Sequence, residues 1–550
     1  MSNNLINTAM SGLGAAQAAL NTASNNISNV TTSGYNRQTA IISQNNGTTT
    51  AQGYIGNGVT VSGVNREYNQ FIVNQLRAAS TTNSALTAYY NQVSQVDDLL
   101  SDTTNSLSTS MQTLFSNLQS MVSSPDDDAA RQTVLGSASA LANQFKSTDQ
   151  YLQDLDSGVN QQIKDNVSQV NNYAQQIAKL NDQITRARGA SGTEPNALLD
   201  QRDQLVNQLN DVVGVSVTQQ DGDSLNISVA GGLMLVQGGN AYSLEAVPSS
   251  SDPSRLTLGY TRGGVTSEVA ESQVTTGTLG GLLTFRSESL DSARNQLGQL
   301  AATLADQFNQ VHEQGFDIEG NAGGKFFNID DPSVLGNTKN SGSAALSASY
   351  TDTTQLQASD YTLKYDGGNW KVTRVADGAS ISATAGSDES GNPTLNFDGV
   401  AVSVSGQAAS GDSFTLKTVS NAASSFSLAI SDTSKIAAAS ESDSGVSDNR
   451  NGQKLLDLQT AKLVQGKTTL AGAYAGLVSS VGSQTSTAEM NSTTQSNIVT
   501  QLTTQQQSIS GVNLDEEYGD LQRYQQYYLA NAQVIQTAST IFNALMDIRG

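Results

Sequence analysis

No cysteine occurs in the 550 residues, which excludes structural disulfides, thiol nucleophiles and thiolate metal sites. A single histidine, His312, reduces imidazole chemistry to one candidate and removes His-rich metal centres. Positive charge is scarce. With 27 Lys and Arg against 49 Asp and Glu, the net charge is −22, and so acidic a chain is not built to wrap nucleic acid. No apolar run reaches the roughly 18 residues that a bilayer span requires, so no membrane partner is expected. The first charged side chain is Arg37. Without a basic leading region, a route out of the cell, if the chain takes one, is expected to be independent of a cleaved signal. What is abundant is Ser, Thr, Asn and Gln, in a length that holds three or four domains of about 100–200 residues with sizeable cores.

Periodicity divides the chain. Ile6, Leu13, Leu20 and Ile27 recur every seven residues, with Ala9, Ala16, Ala23 and Val30 three positions after each. This is a heptad seam with large residues at one position and small ones at the other. Ser33-Gly34 supplies a stop, and residues 41–66 read as a β-rich connector. A second helical stretch carries Leu86, Val93, Leu100, Leu107, Leu114 and Met121, and ends at Ser124-Pro125. There a new helix is expected to start, with Ser124 as cap and Asp126–Asp128 at its positive end. Ile163, Val170, Ile177 and Ile184 mark a further rod. From about 212 the period becomes two (Val213, Val215, Val217), returns to helical over 281–314, and is β again over 345–430. Two turns there, Asp366-Gly367-Gly368 and Asp398-Gly399, predict hairpins. Beyond about 448 the chain reads as helix. The last helix has Asn513 as its cap and Glu516 three residues on, with a seam of Leu514, Leu521, Tyr528, Ile535 and Phe542 and with Tyr524 at an intermediate position.

The fold class is therefore multidomain α+β: a discontinuous terminal α-helical coiled coil and helical rod with inserted antiparallel β-rich modules. The expected division is 1–66 with 511–550 as a terminal coiled-coil assembly domain. Residues 67–211 with 281–344 and 431–510 form a mainly helical rod, 212–280 a β-rich insertion, and 345–430 an outer β-rich insertion. A helix whose second seam position is alanine buries little by itself, while ordering costs about 1–2 kcal/mol per residue. The two ends are accordingly expected to be weakly ordered alone and to fold against each other and against neighbouring copies. An ordinary intramolecular coiled coil fits the seam equally well.

Motifs for chemistry are sparse. Neither a P-loop nor a G-x-S-x-G sequence is present, and His312 has no nucleophile motif nearby. Asp317, Glu319 and Asn321 imitate the start of a calcium loop, but Ala322 and Asn328 stand where that loop needs Gly and Glu. No catalytic residue, cofactor or metal is expected, and the chain is read as a non-enzyme.

The segment Ser24-Asn25-Asn26-Ile27-Ser28-Asn29-Val30-Thr31-Thr32-Ser33-Gly34-Tyr35-Asn36-Arg37-Gln38 resembles the N-terminal signature of the flagellar rod, hook and hook-associated axial protein family. Gly511-Val512-Asn513-Leu514-Asp515-Glu516-Glu517-Tyr518 and the stretch Arg523–Ala532 resemble the matching C-terminal signature. Gly315-Phe316-Asp317-Ile318-Glu319-Gly320-Asn321, with Gly324 and Phe326-Phe327, is similar to a stretch found in hook–filament junction members of that family. Ser33 stands where the family usually has Pro, and Tyr527 and Leu529 where it often has Ala and Gln. The resemblance implies a structural component of the bacterial flagellum, exported by the flagellar type III apparatus and located outside the cell at the hook–filament junction. It implies as partners a helical ring of copies of itself, the hook protein, the second junction protein, the filament cap during assembly, and an export chaperone on the C-terminal helix. The residues expected to carry assembly are Ile6, Leu13, Leu20, Ile27, Leu514, Leu521, Tyr524, Tyr528, Ile535 and Phe542. A hook or distal rod protein of the same family, or a surface adhesin using the β modules, are the alternatives.

Overall fold

The computed structural model describes residues 2–50, 53–102 and 106–549, and its helices follow the heptads. Helix α1 (Ser2–Ser28) is followed by an antiparallel ribbon that pairs Gln38–Gln44 with Val59–Arg66. Helix α1 ends before the expected Ser33-Gly34 stop. Asn29 Nδ2 donates to Asn25 O (2.9 Å) and Thr32 Oγ1 to Asn29 Oδ1 (3.1 Å), side-chain bonds that compete with helix continuation.

The rod is built from α2 (Gln70–Ser101), α3 (Leu107–Ser123), α4 (Asp128–Ser191) and α5 (Asn196–Val212). What reads as one helix over 86–121 is two, yet Val93, Leu100, Leu107, Leu114 and Met121 stay buried on both sides of the break. Helix α4 is capped by Asp127, whose carboxylate accepts from Ala129 N at 2.9 Å. The expected Ser124 cap is thus displaced by three residues, because a carboxylate both caps and complements the helix dipole. Ile163, Val170, Ile177 and Ile184 are fully buried along α4.

Next come a four-stranded meander (215–241) and a three-stranded sheet (243–268). Helix α6 (Gly277–Thr284) then runs through a π-helical turn, Phe285–Leu290, into α7 (Asp291–Glu313). Leu297, Leu300, Leu304 and Phe308 of α7 are buried. A Cβ on Gly298 would collide with Val419 O, so glycine there lets the outer module sit on the helix.

That module has a five-stranded and a four-stranded antiparallel sheet. Its first strand is Ser333–Gly336, paired with Ser413–Lys417, so its sheets begin ahead of residue 345. The strand was hidden because Ser-Val-Leu-Gly is too short to show alternation. Tyr365 pairs with Trp370 and Phe397 with Val400 across the two turns singled out by sequence. Asp398 and Gly399 both adopt positive φ (43° and 82°), as a two-residue hairpin turn requires. After short α8 (Ala422–Ser425) and α9 (Arg450–Asp457), α10 (Leu470–Ser510) returns along α2 and α11 (Leu514–Arg549) returns along α1. Among the described residues, no helix is long and apolar enough to cross a membrane.

Candidate assembly interface

Helices α1 and α11 run antiparallel: Asn26 meets Glu517 near one end, and Gly12 faces Asn531 further along. The buried positions of α1 include Ala9, Ala16, Ala19, Ala23 and Asn26, which with Gly12 form an unbroken 3-4 spacing. The small residues, rather than the large row, make the helix–helix seam. Ile6, Leu13, Leu20 and Ile27 lie at its edge, each only half-buried. The reason is geometric, since alanine and glycine let two helix axes approach until a larger side chain between them no longer fits. A Cβ on Gly12 would come within 2.5 Å of Asn531 Oδ1. On another face of α1, Ser11 Oγ accepts from Val59 N at 3.1 Å and ties the helix to the ribbon.

Across the seam, Leu521, Tyr524, Tyr528 and Ile535 are half-buried, and Glu517 and Ala538 are buried. Leu514 and Phe542 remain 40% and 43% exposed. Further large apolar groups stand in the open, among them Leu5, Met10, Tyr518, Leu529, Ile541 and Met546. The structure thus gathers most of the assembly residues expected from sequence along one helix pair, while leaving every large one among them incompletely covered.

Where the coil joins the rod, a polar knuckle draws together residues of both terminal signatures. Tyr35 OH donates to Asn26 Oδ1 (2.7 Å), and Asn26 Nδ2 donates to Gln38 O (2.9 Å) and to Glu517 Oε2 (3.1 Å). Arg37 pairs with Glu517 (2.7 Å) and Glu516 (2.8 Å). Glu516 is thereby drawn to Arg37 rather than back onto a capping box, although Asn513 does cap α11 by accepting from Asp515 N (3.0 Å). Asn36 donates through Nδ2 to Asp200 Oδ1 (2.6 Å), and Arg66 bonds Asp200 (3.0 Å) and Asp203 (2.7 Å). Burial pushes the Tyr35 phenol up to about 12, reinforced by the Asp200 and Glu517 carboxylates. Burial also raises Asp200, against the hydrogen bonds of Asn36 and Arg66. Burial by itself would lower Arg37, but the Glu517 and Glu516 carboxylates outweigh it and leave the guanidinium raised. In the sequence, Asn26, Tyr35, Asn36 and Arg37 stand out only as members of the N-terminal signature. Asp200 carried no signal, because its partners lie 164 and 134 residues away.

The interior landmark is structural. His312 Nδ1 donates to Gly324 O (2.7 Å) and Nε2 accepts from Ala437 N (2.9 Å). Both ring nitrogens are thus spent on backbone, and burial lowers the imidazole from its ordinary value. Asp317 Oδ1 accepts from Glu319 N and Asn321 N (2.9 and 2.8 Å). Lys435 Nζ lies 3.1 Å from Asp317 and 2.9 Å from Glu319, so an ammonium stands where the calcium-like spacing would place a cation. No group of three or more metal-ligating side chains occurs among the described residues.

Comparison with known proteins agrees with this architecture. Residues 93–327 match the family model of the flagellar hook-associated protein FlgK helical domain, and residues 335–418 that of the flagellar hook-associated protein 1 D2-like domain. Residues 6–36 match the flagella basal body rod protein model. Flagellar hook-associated protein 1 of Escherichia coli K12 is 56% identical over 548 residues, covering 99% of this chain and 100% of that protein. The protein of the same name from Salmonella typhimurium is 54% identical over 556 residues, covering 99% and 100%. The solved flagellar hook junction protein FlgK of Burkholderia pseudomallei superposes with a TM-score of 0.75 at 32% identity, over 80% of this chain and 100% of that one. The chain therefore belongs to the flagellar hook-associated protein 1 family, structural components of the flagellum at the hook–filament junction.

Proposed function

We propose that the chain works without enzymatic activity, as a building block that joins hook to filament by packing its α1–α11 coil against the coils of neighbouring copies in a helical ring. The observation that carries this reading is the contrast between a small-residue seam that closes and the large residues beside it that stay open. An apolar side chain left half-exposed gains stability when a neighbour covers it, about 1.5–3 kcal/mol for full burial of a Leu or Phe. The rod forms the next shell and the β modules the outside, in the domain division given by the sequence. Before assembly the same α11 stripe suits an export chaperone, and after export through the type III apparatus it meets the hook protein on one side and the second junction protein on the other. The filament cap is the partner during growth.

Deletion of the gene tests this directly: hooks should remain while filaments are lost and flagellin is shed into the medium. Complementation with Leu521→Asp or Ile535→Asp should fail, with the central modules still folded by circular dichroism. Filaments restored by either variant would refute the role given to the coil. Loss of hooks in the deletion strain would instead favour a hook or distal rod protein.

A further inference from the structure

We propose that the outer β module is held to the inner β module, where both meet the rod, by a proton-dependent latch centred on Asp360. With this carboxyl neutral the module seats firmly, and with it ionised the seat loosens. The three bodies meet around a polar cavity of about 510 Å³. Most of the carboxylates around it have a basic partner. Asp252 accepts from Lys417 of the outer module at 2.6 Å, and Asp291 of α7 pairs with Arg255 of the inner module at 2.8 Å. Glu271 bonds Arg286 at 2.5 Å, and Glu268 bonds Lys339 at 2.9 Å. Asp360 is left over. It lines the same cavity, and its Oδ1 is buried without a hydrogen-bond partner. Helix α7 holds the outer module through Gln299 Nε2 to Leu356 O (2.5 Å) and Thr353 Oγ1 to Asp306 Oδ2 (2.7 Å), but besides the ion pairs few direct bonds join the outer module to the inner one. Thr338 N donates to Ser250 O (2.9 Å) and Asn337 Nδ2 to Ser250 Oγ (3.3 Å).

An unpartnered carboxylate in such a place costs free energy unless it takes up a proton. Burial, then the like charge of Asp291, pushes Asp360 up to about 6, and the attraction of Lys417, Arg255 and Arg294 does not offset them. Burial would also raise Asp252, but Lys417, Ser254 and Arg255 hold it at about 2. Glu268 is likewise held low by Ser250 and Lys339 despite its burial. These two therefore remain charged while Asp360 titrates. The sign follows from linkage. Between the ordinary value of 3.8 and about 6, the seated state holds a proton that the unseated state has released, so seating weakens as pH rises through that window and is constant above it. His312, the one imidazole, is spent on Gly324 and Ala437 and is not among the residues lining this cavity.

Hydrogen exchange of the full chain, corrected for intrinsic rates, tests the latch at the Thr338 amide. Opening should rise about tenfold or more between pH 5 and 7.5, with a midpoint near the value for Asp360. In Asp360→Asn the step should vanish. A wild-type profile without a step, or the same step in Asp360→Asn, overturns the proposal. If Asp360→Asn does not fold, Lys417→Met decides, because removing the opposing cation should move the midpoint upward, and an unmoved midpoint overturns the proposal equally.

Discussion

The rod and the terminal coil are both helix-on-helix structures, yet they bury different things. In the rod, Phe145, Leu118, Ile163 and Phe308 have no exposed surface, and rings from distant parts of the same chain cover two of them, Phe426 against Phe145 and Phe326 and Phe327 against Phe308. In the coil the buried side chains are mostly alanines, while Phe542 is 43% and Leu529 60% exposed. Each buried alanine methyl contributes only about 0.8 kcal/mol, against about 1.5–3 kcal/mol for a buried large side chain. One region thus completes its core within a single molecule, and the other closes a narrow seam and leaves its large side chains available.

Truncation should show the difference most strongly. Phe308→Ala should cost the rod about 3–5 kcal/mol, measured by chemical denaturation. Phe542→Ala should change monomer stability by less than about 0.5 kcal/mol, yet lower incorporation into flagella. Equal costs for the two variants would break the contrast. The boundary between the regions is sharpened by Asp200→Ala, which strips Asn36 and one arm of Arg66 of a buried partner. An effect of about 1–3 kcal/mol is expected, read as faster hydrogen exchange in the coil with exchange in the α4 core unchanged. Between rod and coil, the protonation of His312 on acidification should give the smallest effect and confine it to the rod. The lowered His312 keeps the folded state from binding a proton that the unfolded chain takes up below its ordinary value of 6.5. Stability around residues 312–324 should therefore decline as pH falls below about 6.5, leave exchange near Ala16 unchanged, and lose that slope in His312→Gln.

Much of this organisation is legible along the chain because helices and hairpins are local. Heptads at Val93–Met121 and Ile163–Ile184, the Asp398-Gly399 turn and the Asn513 cap all depend on residues within a few positions of one another. The candidate interface is legible in α11, where Leu521, Tyr528 and Ile535 lie on one helical face. In α1 it is legible by half: Ala9, Ala16 and Ala23 lie on the expected seam and are buried, whereas Gly12, Ala19 and Asn26 take the place expected of the larger row one position away.

By itself the sequence determined the sequence-local features: helical ends, β-rich middle modules, and a chain without thiols and with one imidazole. Tertiary structure alone decided which row of α1 faces its partner, because that depends on how closely two axes approach. It also decided that Asp200 anchors the knuckle, that Lys435 fills a cation-like loop, and that Asp360 is left without a base. Those are properties of groups brought together from distant parts of the chain, where burial and neighbouring charge, rather than residue type, set what each one does.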